Sequence, residues 1–223
     1  MYTSHEKAKA DILEAGRRLY MRGFVAANDG NISAKMTDGT VWATPSGVSK
    51  GFMDLGSLIR VTPDGEVVEG AGKVSSEIKL HLAVYAENPE LGAVVHAHPP
   101  AATAYASLGR AFDLAISTEC VISLGVVPCA PYALPGSERL AEDAAKFARE
   151  YNACLLQGHG AASWGRDVMS ALYRMESVEH TVITYEHMLA LGGVKLLTAK
   201  QVDELVALRA KFGITLGGVP RGS

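Results

Sequence analysis

The segment Ala93-Val94-Val95-His96-Ala97-His98-Pro99-Pro100 constrains this chain more than any other. An apolar run leads into two histidines one residue apart. Side chains alternate across a β-strand, so His96 and His98 project together. The run predicts a buried strand, and it must end at Pro99-Pro100, because neither proline can donate to a ladder. Two imidazoles on one face at a strand end suit a metal that prefers nitrogen ligands, zinc above all.

The remaining signals alternate between helix and strand, which predicts an α/β domain. Thr3 to Arg22 reads as a helix, with Thr3 and Glu6 as a capping box, Gly23 as the stop, and Ala8, Ile12, Leu19 and Tyr20 as its apolar stripe. Short strands are expected at Val41–Thr44, Leu58–Val61 and Val67-Val68, the last two joined by the turn Pro63-Asp64-Gly65. A helix is expected from Ser75 or Ser76 to about Ala86, a short one over Pro99–Ser107, and an amphipathic one over Gly136–Tyr151. Ile116–Leu124 and Val126-Val127 read as strands, as does Ala153–Gln157. Long helices are expected over Asp167–Leu191 and Thr198–Phe212.

A chain of 223 residues with no internal repeat and no linker reads as one domain, residues 1–216. The ending, residues 217–223, closes on Val-Pro-Arg-Gly-Ser and resembles part of a protease-cleavable tag. A net charge of −3 without any basic block argues against nucleic acid or an anionic membrane as partner. Cys120, Cys129 and Cys154 are odd in number, widely spaced and without a secretory leader, so a reduced cytoplasmic protein is expected. No apolar run reaches the length of a membrane span.

Two loops are rich in Gly, Asn and Ser: Ala27-Asn28-Asp29-Gly30-Asn31-Ile32-Ser33 and Pro45-Ser46-Gly47-Val48-Ser49-Lys50-Gly51. Such loops serve either as hairpin turns or as anion cradles of backbone N–H groups. Glu77 falls in the first turn of its helix, where a carboxylate suits the dipole whether or not it has a chemical task. His81 shares its helical face and either orients Glu77 or simply packs. His159 stands between Gly158 and Gly160 just past an apolar strand. With His96 and His98 it makes three imidazoles at strand ends, an open set of the kind that catalytic rather than structural zinc sites use. His180 and His187, two turns apart on one helix, read as surface or interface residues.

In order along the chain, Gly30-Asn31, Thr44-Pro45-Ser46-Gly47, Ser75-Ser76-Glu77, His96-Ala97-His98, Pro128-Cys129-Ala130-Pro131-Tyr132 and Gln157-Gly158-His159-Gly160 resemble the class II aldolase/adducin-type sugar phosphate aldolases, the family of L-fuculose-1-phosphate aldolase. The resemblance implies a single three-layer α/β domain with a central, mainly antiparallel sheet flanked by helices. It implies a C4 homotetramer with active sites at subunit interfaces, and Zn2+, or another divalent transition metal, on His96, His98, His159 and Glu77. Gly30, Asn31, Ser46, Gly47, Ser75 and Ser76 would hold a substrate phosphate. The implied reaction is reversible cleavage of a ketose 1-phosphate to dihydroxyacetone phosphate and an aldehyde, through a metal-stabilised enediolate with Glu77 as general acid/base.

Alternatives within the same superfamily are an epimerase, a decarboxylase or a dehydratase on the same metal site. Phosphopentose 4-epimerases carry Asp where this chain has Glu77, which favours the aldolase. A non-catalytic module like the adducin head is less favoured, because those relatives lack the metal ligands. The chain departs from the family on the aldehyde side. Its segment Ile116-Ser117-Thr118-Glu119-Cys120 has no tyrosine, and Phe212 stands where the family has a C-terminal tyrosine. Glu119 is a replacement polar group to consider, and a less polar aldehyde, as from a 5-deoxypentulose phosphate, is the expected fragment.

Overall fold

The computed structural model describes residues 1–223. In chain order the elements are α1 (His5–Met21), β1 (Asn31–Lys35), β2 (Val41–Ala43), β3 (Ile59–Val61), β4 (Val67–Glu69), α2 (Ile78–Glu87), β5 (Ala93–Ala97), α3 (Pro100–Ala106), β6 (Cys129–Ala130), α4 (Glu138–Ala145), β7 (Ala153–Leu156), β8 (Gly160–Gly165), α5 (Val168–Ala190) and α6 (Ala199–Leu208). The strands form one sheet in the order β4-β3-β2-β1-β5-β8-β7-β6. Every pair is antiparallel except β6 with β7.

The layers follow from strand alternation. On β5, Ala93, Val95 and Ala97 pack with α1, α3 and α5 on one face of the sheet. Val94 packs with α2 and α4 on the other. His96, in phase with Val94, therefore faces the α2/α4 side. Both faces of β5 are buried, which is why its sequence is a continuous apolar run rather than an alternation.

Several expectations need correction. The cap of α1 is Ser4, not Thr3: its hydroxyl accepts from the Lys7 amide. Tyr20, expected on the apolar stripe, is exposed and edge-stacks on Phe52. The segment 116–124 is not a strand. Cys120–Leu124 forms a single wide helical turn that buries Cys120, Val121 and Leu124 and stops at Gly125. Those three recur at helical rather than alternate spacing, which is why the segment coils instead of extending. Val127 makes one isolated bridge to Phe112 rather than a strand. Helix α4 is shorter than expected and is capped by Ser137. Strand β8 was not foreseen, because Gly-Ala-Ala-Ser-Trp-Gly has low β propensity; it forms because β5 and β7 pair with it on both sides. Residues 217–223 are hydrogen-bonded to the body: the Gly217 amide donates to the Glu150 carbonyl, that of Arg221 to Asp113 and that of Ser223 to Leu197. No helix is long and apolar enough to cross a membrane.

Candidate active site

The antiparallel pairing of β5 with β8 sets Ala97 opposite Ala161. The carboxyl end of β5 thus meets the turn that enters β8, and His96 and His98 meet His159. Their ring centroids lie 4.7–5.0 Å apart, and one nitrogen from each falls within 4.8 Å of the others. Two glycines allow the approach. A Cβ on Gly160 would stand 2.6 Å from the Ala97 carbonyl and 2.7 Å from His98 Cδ2. Gly30 has φ +72°, and a Cβ there would stand 2.8 Å from the His96 carbonyl.

The donor set fits a metal ion. His96 Nδ1 lies 2.9 Å from the Ala161 carbonyl oxygen. A carbonyl only accepts, so Nδ1 carries the proton and Nε2 presents a lone pair. That lone pair faces His98 Nε2 at 3.1 Å. Glu77 Oε2 is 3.3 Å from His96 Nε2, and Glu77 Oε1 is 3.4 Å from His159 Nε2. Oε1 is buried and without a hydrogen-bond partner. An orphaned carboxylate oxygen converging with imidazole lone pairs is the arrangement that a bound cation resolves. His180 and His187 stand apart from this group.

Glu77 is not in the first turn of α2 but at its N-cap position, and Ser75 and Ser76 precede the helix rather than cap it. The carboxylate is held from behind by a buried polar chain. Asn31 Nδ2 donates to Glu77 Oε2 at 2.8 Å and to Ser75 Oγ at 3.3 Å. Asn31 Oδ1 lies 2.5 Å from His81 Nε2, and His81 Nδ1 lies 2.7 Å from Ser33 Oγ. Ser33 Oγ in turn meets the Tyr85 hydroxyl at 2.6 Å. The amide oxygen of Asn31 fixes His81 as the Nε2–H tautomer, so the Ser33 hydroxyl donates to Nδ1 and accepts from Tyr85. Of the two readings of His81, orientation of Glu77 fits, through Asn31 rather than by contact.

Burial pushes the Glu77 carboxyl up, but the neighbouring His96 and His159 and the Asn31 amide outweigh it and hold it below the usual carboxylate range. Burial pushes the His96 imidazole down to about 4 and that of His81 to about 3. His159 is lowered by the same cause. Neutral imidazoles beside an ionised carboxylate are the protonation states that ligation requires.

A cavity of about 240 Å³ opens over the three histidines and Glu77, lined by Gly30, Asn31, Ser46, Gly47, Ser75 and Ser76 together with Glu77, His98 and His159. The loops at 26–30 and 45–51 thus share one wall. The backbone amides of Gly47 and Ser76 make no intramolecular hydrogen bond. Asn31 lines the cavity, yet its amide protons are taken by Glu77 and Ser75. Glu119 and Phe212 do not reach this cavity within one chain. Glu119 lies with Ser117 and His180 beside a separate cavity of about 540 Å³, and Phe212 is exposed. Two lining residues escaped sequence reasoning. Asp29 sits 3.6 Å from His98 Nδ1, and Lys50 is buried beneath the cavity floor. Each is a lone charge in a Gly/Ser/Asn loop, a signal that was available.

Residues 10–185 match the family described as class II aldolase and adducin N-terminal domain. The chain belongs to that family. It is 36% identical over 209 residues to the 3-oxo-tetronate 4-phosphate decarboxylase of Pectobacterium atrosepticum, covering 91% of this chain and 94% of that protein. It is 31% identical over 208 residues to the 5-deoxy-D-ribulose 1-phosphate aldolase of Bacillus thuringiensis, covering 93% and 96%. The solved structure of an L-fuculose 1-phosphate aldolase superposes with a TM-score of 0.85 at 26% identity, covering 95% of this chain and 98% of that one. This class II aldolase family member is an enzyme of a superfamily whose relatives cleave, dehydrate and decarboxylate sugar phosphates.

Proposed function

We propose that the chain is a zinc-dependent lyase that cleaves a ketose 1-phosphate reversibly to dihydroxyacetone phosphate and an aldehyde. The observation that carries this reading is the Glu77 carboxylate. One oxygen is fixed by Asn31 and lies against His96, the other has no hydrogen-bond partner and lies against His159, beside a cradle with unpaired Gly47 and Ser76 amides. His96, His98, His159 and Glu77 would hold the ion. Bound there, it supplies Lewis-acid charge to the ketone and adjacent hydroxyl oxygens.

The chain's own residues do the rest. Gly30, Ser46, Gly47, Ser75 and Ser76 bind the phosphate, and this remote grip orients the reacting carbon. In cleavage, the bond beyond the carbon next to the carbonyl breaks as the distal hydroxyl loses its proton. The electron pair passes into an enediolate. Glu77, protonated, returns a proton to that carbon and completes dihydroxyacetone phosphate; in synthesis it removes the same proton. Asn31 and His81 keep the carboxylate in line.

A second reading is supported by the Pectobacterium relative. A 3-oxo-tetronate 4-phosphate that lost carbon dioxide would leave the same enediolate for Glu77 to protonate. The two reactions differ only in what departs, an aldehyde or carbon dioxide. The Bacillus relative supports the less polar aldehyde expected from the missing tyrosines. By the resemblance to the sugar phosphate aldolases, we propose a C4 homotetramer in the cytoplasm as the active form.

The test is release of dihydroxyacetone phosphate from a panel of ketose 1-phosphates and from 3-oxo-tetronate 4-phosphate. Deoxyketose phosphates are expected to turn over fastest, with fuculose-1-phosphate behind 5-deoxyribulose-1-phosphate. Faster turnover of the 3-oxo acid would replace the aldolase reading with the decarboxylase one. Glu77→Gln is expected to slow solvent proton exchange into dihydroxyacetone phosphate by a factor of about 100 or more. Undiminished exchange would remove Glu77 from the proton-transfer role. Pure protein without stoichiometric metal would favour an adducin-like module.

A further inference from the structure

The phosphate cradle described above is made of neutral groups, while two carboxylates, Asp29 and Glu77, share its cavity. The proposed ion offsets Glu77 at the imidazole end, so a phosphate lying on the two loops has no positive charge of its own unless a fixed cation stands behind them. Lys50 is the one lysine or arginine lining that cavity, and the residue is 2% exposed. Its ammonium group donates to the Asn28 carbonyl at 2.9 Å and to the Val48 carbonyl at 2.5 Å. Those carbonyls belong to the two different loops that present Gly30 and Gly47. An ammonium group has three protons, so one remains after both loops are tied. Burial pulls the Lys50 ammonium down, with the charge of Asp29 opposing.

On the reading that this cavity takes a phosphate, we infer that Lys50 is the charge-supplying residue of the phosphate subsite and so a determinant of specificity for phosphorylated over free ketoses. The seam between the loops at 26–30 and 45–51 is closed by a buried cation that meets no carboxylate within hydrogen-bond range. A bound phosphate provides the missing counter-charge, and the third N–H provides the contact. The same group that fixes the two loops in register then also sets their electrostatic preference. A loop tie without that second role would need no charge, only donors.

The experiment uses the metal-loaded enzyme and three probes, inorganic phosphate, dihydroxyacetone phosphate and dihydroxyacetone. Lys50→Met keeps the bulk and removes the charge; Lys50→Arg keeps the charge. Inhibition of proton exchange by inorganic phosphate is expected to weaken about 10- to 100-fold in Lys50→Met, as for loss of a charged hydrogen bond. The KM for dihydroxyacetone phosphate should rise with it, and by more than kcat falls. The preference for dihydroxyacetone phosphate over dihydroxyacetone should narrow by the same factor. Lys50→Arg should recover most of the phosphate inhibition. Inhibition constants within twofold of wild type in Lys50→Met would overturn the inference, as would equal losses on phosphorylated and free probes. If Lys50→Met does not fold, wild-type chain carrying ¹⁵Nζ-lysine decides. One ammonium signal, missing in Lys50→Arg, should move on adding inorganic phosphate, and an unmoved signal rejects the assignment. A wild-type enzyme that neither exchanges dihydroxyacetone phosphate nor responds to phosphate would instead refute the underlying phosphate reading.

Discussion

His81 should make the stability of this protein acid-sensitive in a way one substitution removes. Its imidazole is 1% exposed and lies between Ser33 and the Asn31 amide oxygen, a geometry that holds it neutral. Burial lowers it from 6.5 to about 3. The unfolded chain therefore takes up a proton near pH 6.5 while the folded chain does not. Where the unfolded state binds more protons, stability falls as pH falls. The contribution is whole above pH 6.5 and is lost progressively down to about pH 3, with a span of about 5 kcal/mol as an upper figure. Between about pH 7.5 and about pH 5.5 the loss is about 1.4 kcal/mol, one proton over the single unit below 6.5. Glutamine at 81 can accept from Ser33 and donate to Asn31, so His81→Gln keeps the polar pairing and removes the titration. Urea unfolding of both proteins in chelator, at both pH values, isolates the term, because all other carboxylates and histidines are shared. Wild type should lose about 1.4 kcal/mol more than His81→Gln over that interval. Parallel losses would show that His81 is not buried as a neutral group, and the chain behind Glu77 would have to be redrawn.

Gly160→Ala should lower metal affinity at least about tenfold, by isothermal titration, with little change in circular dichroism, since the new Cβ strikes His98 Cδ2 and the Ala97 carbonyl. Glu179 accepts from the amides of Ala101 and Ala102 at 3.0 and 2.8 Å and is buried. Glu179→Ala should cost about 2–6 kcal/mol in denaturant unfolding, at about 1–3 for each of the two orphaned N–H groups. A cost below about 1 kcal/mol would deny the cap its structural importance. Zinc at about a thousandfold over its dissociation constant should stabilise the chain by about 4 kcal/mol, read as a rise in melting temperature that chelator reverses.

The histidine cluster was half legible in the sequence because strand alternation and two prolines leave His96 and His98 little choice of direction. His159 needed the pairing of β5 with β8 to join them, and a Gly-Ala-Ala-Ser-Trp strand announces nothing on its own. Glu77 was recognised as an acid at a helix start, but its reach across the sheet to Asn31 is a tertiary fact. Asn31, Ser33, His81 and Tyr85 lie on two elements that are far apart in sequence, so no local pattern links them. The error at 116–124 has the opposite origin. A β-branched apolar run carries no period of its own when so short, and Gly125, which ends the turn, reads equally well as the end of a strand. Lys50 and Asp29 were visible but were subsumed under the glycines beside them.

The two ends of the β5 histidine pair differ in how exposed they are to genetic change. His96 is oriented by the main-chain carbonyl of Ala161, and no substitution at position 161 removes a carbonyl. His98 faces a side chain, Asp29, which a single codon change can replace. Drift and selection therefore cannot easily retune the orientation of His96, whereas that of His98 is open to adjustment. Variation in metal affinity among descendants of this sequence should accumulate at position 29 and its loop, while the β5–β8 ladder stays silent.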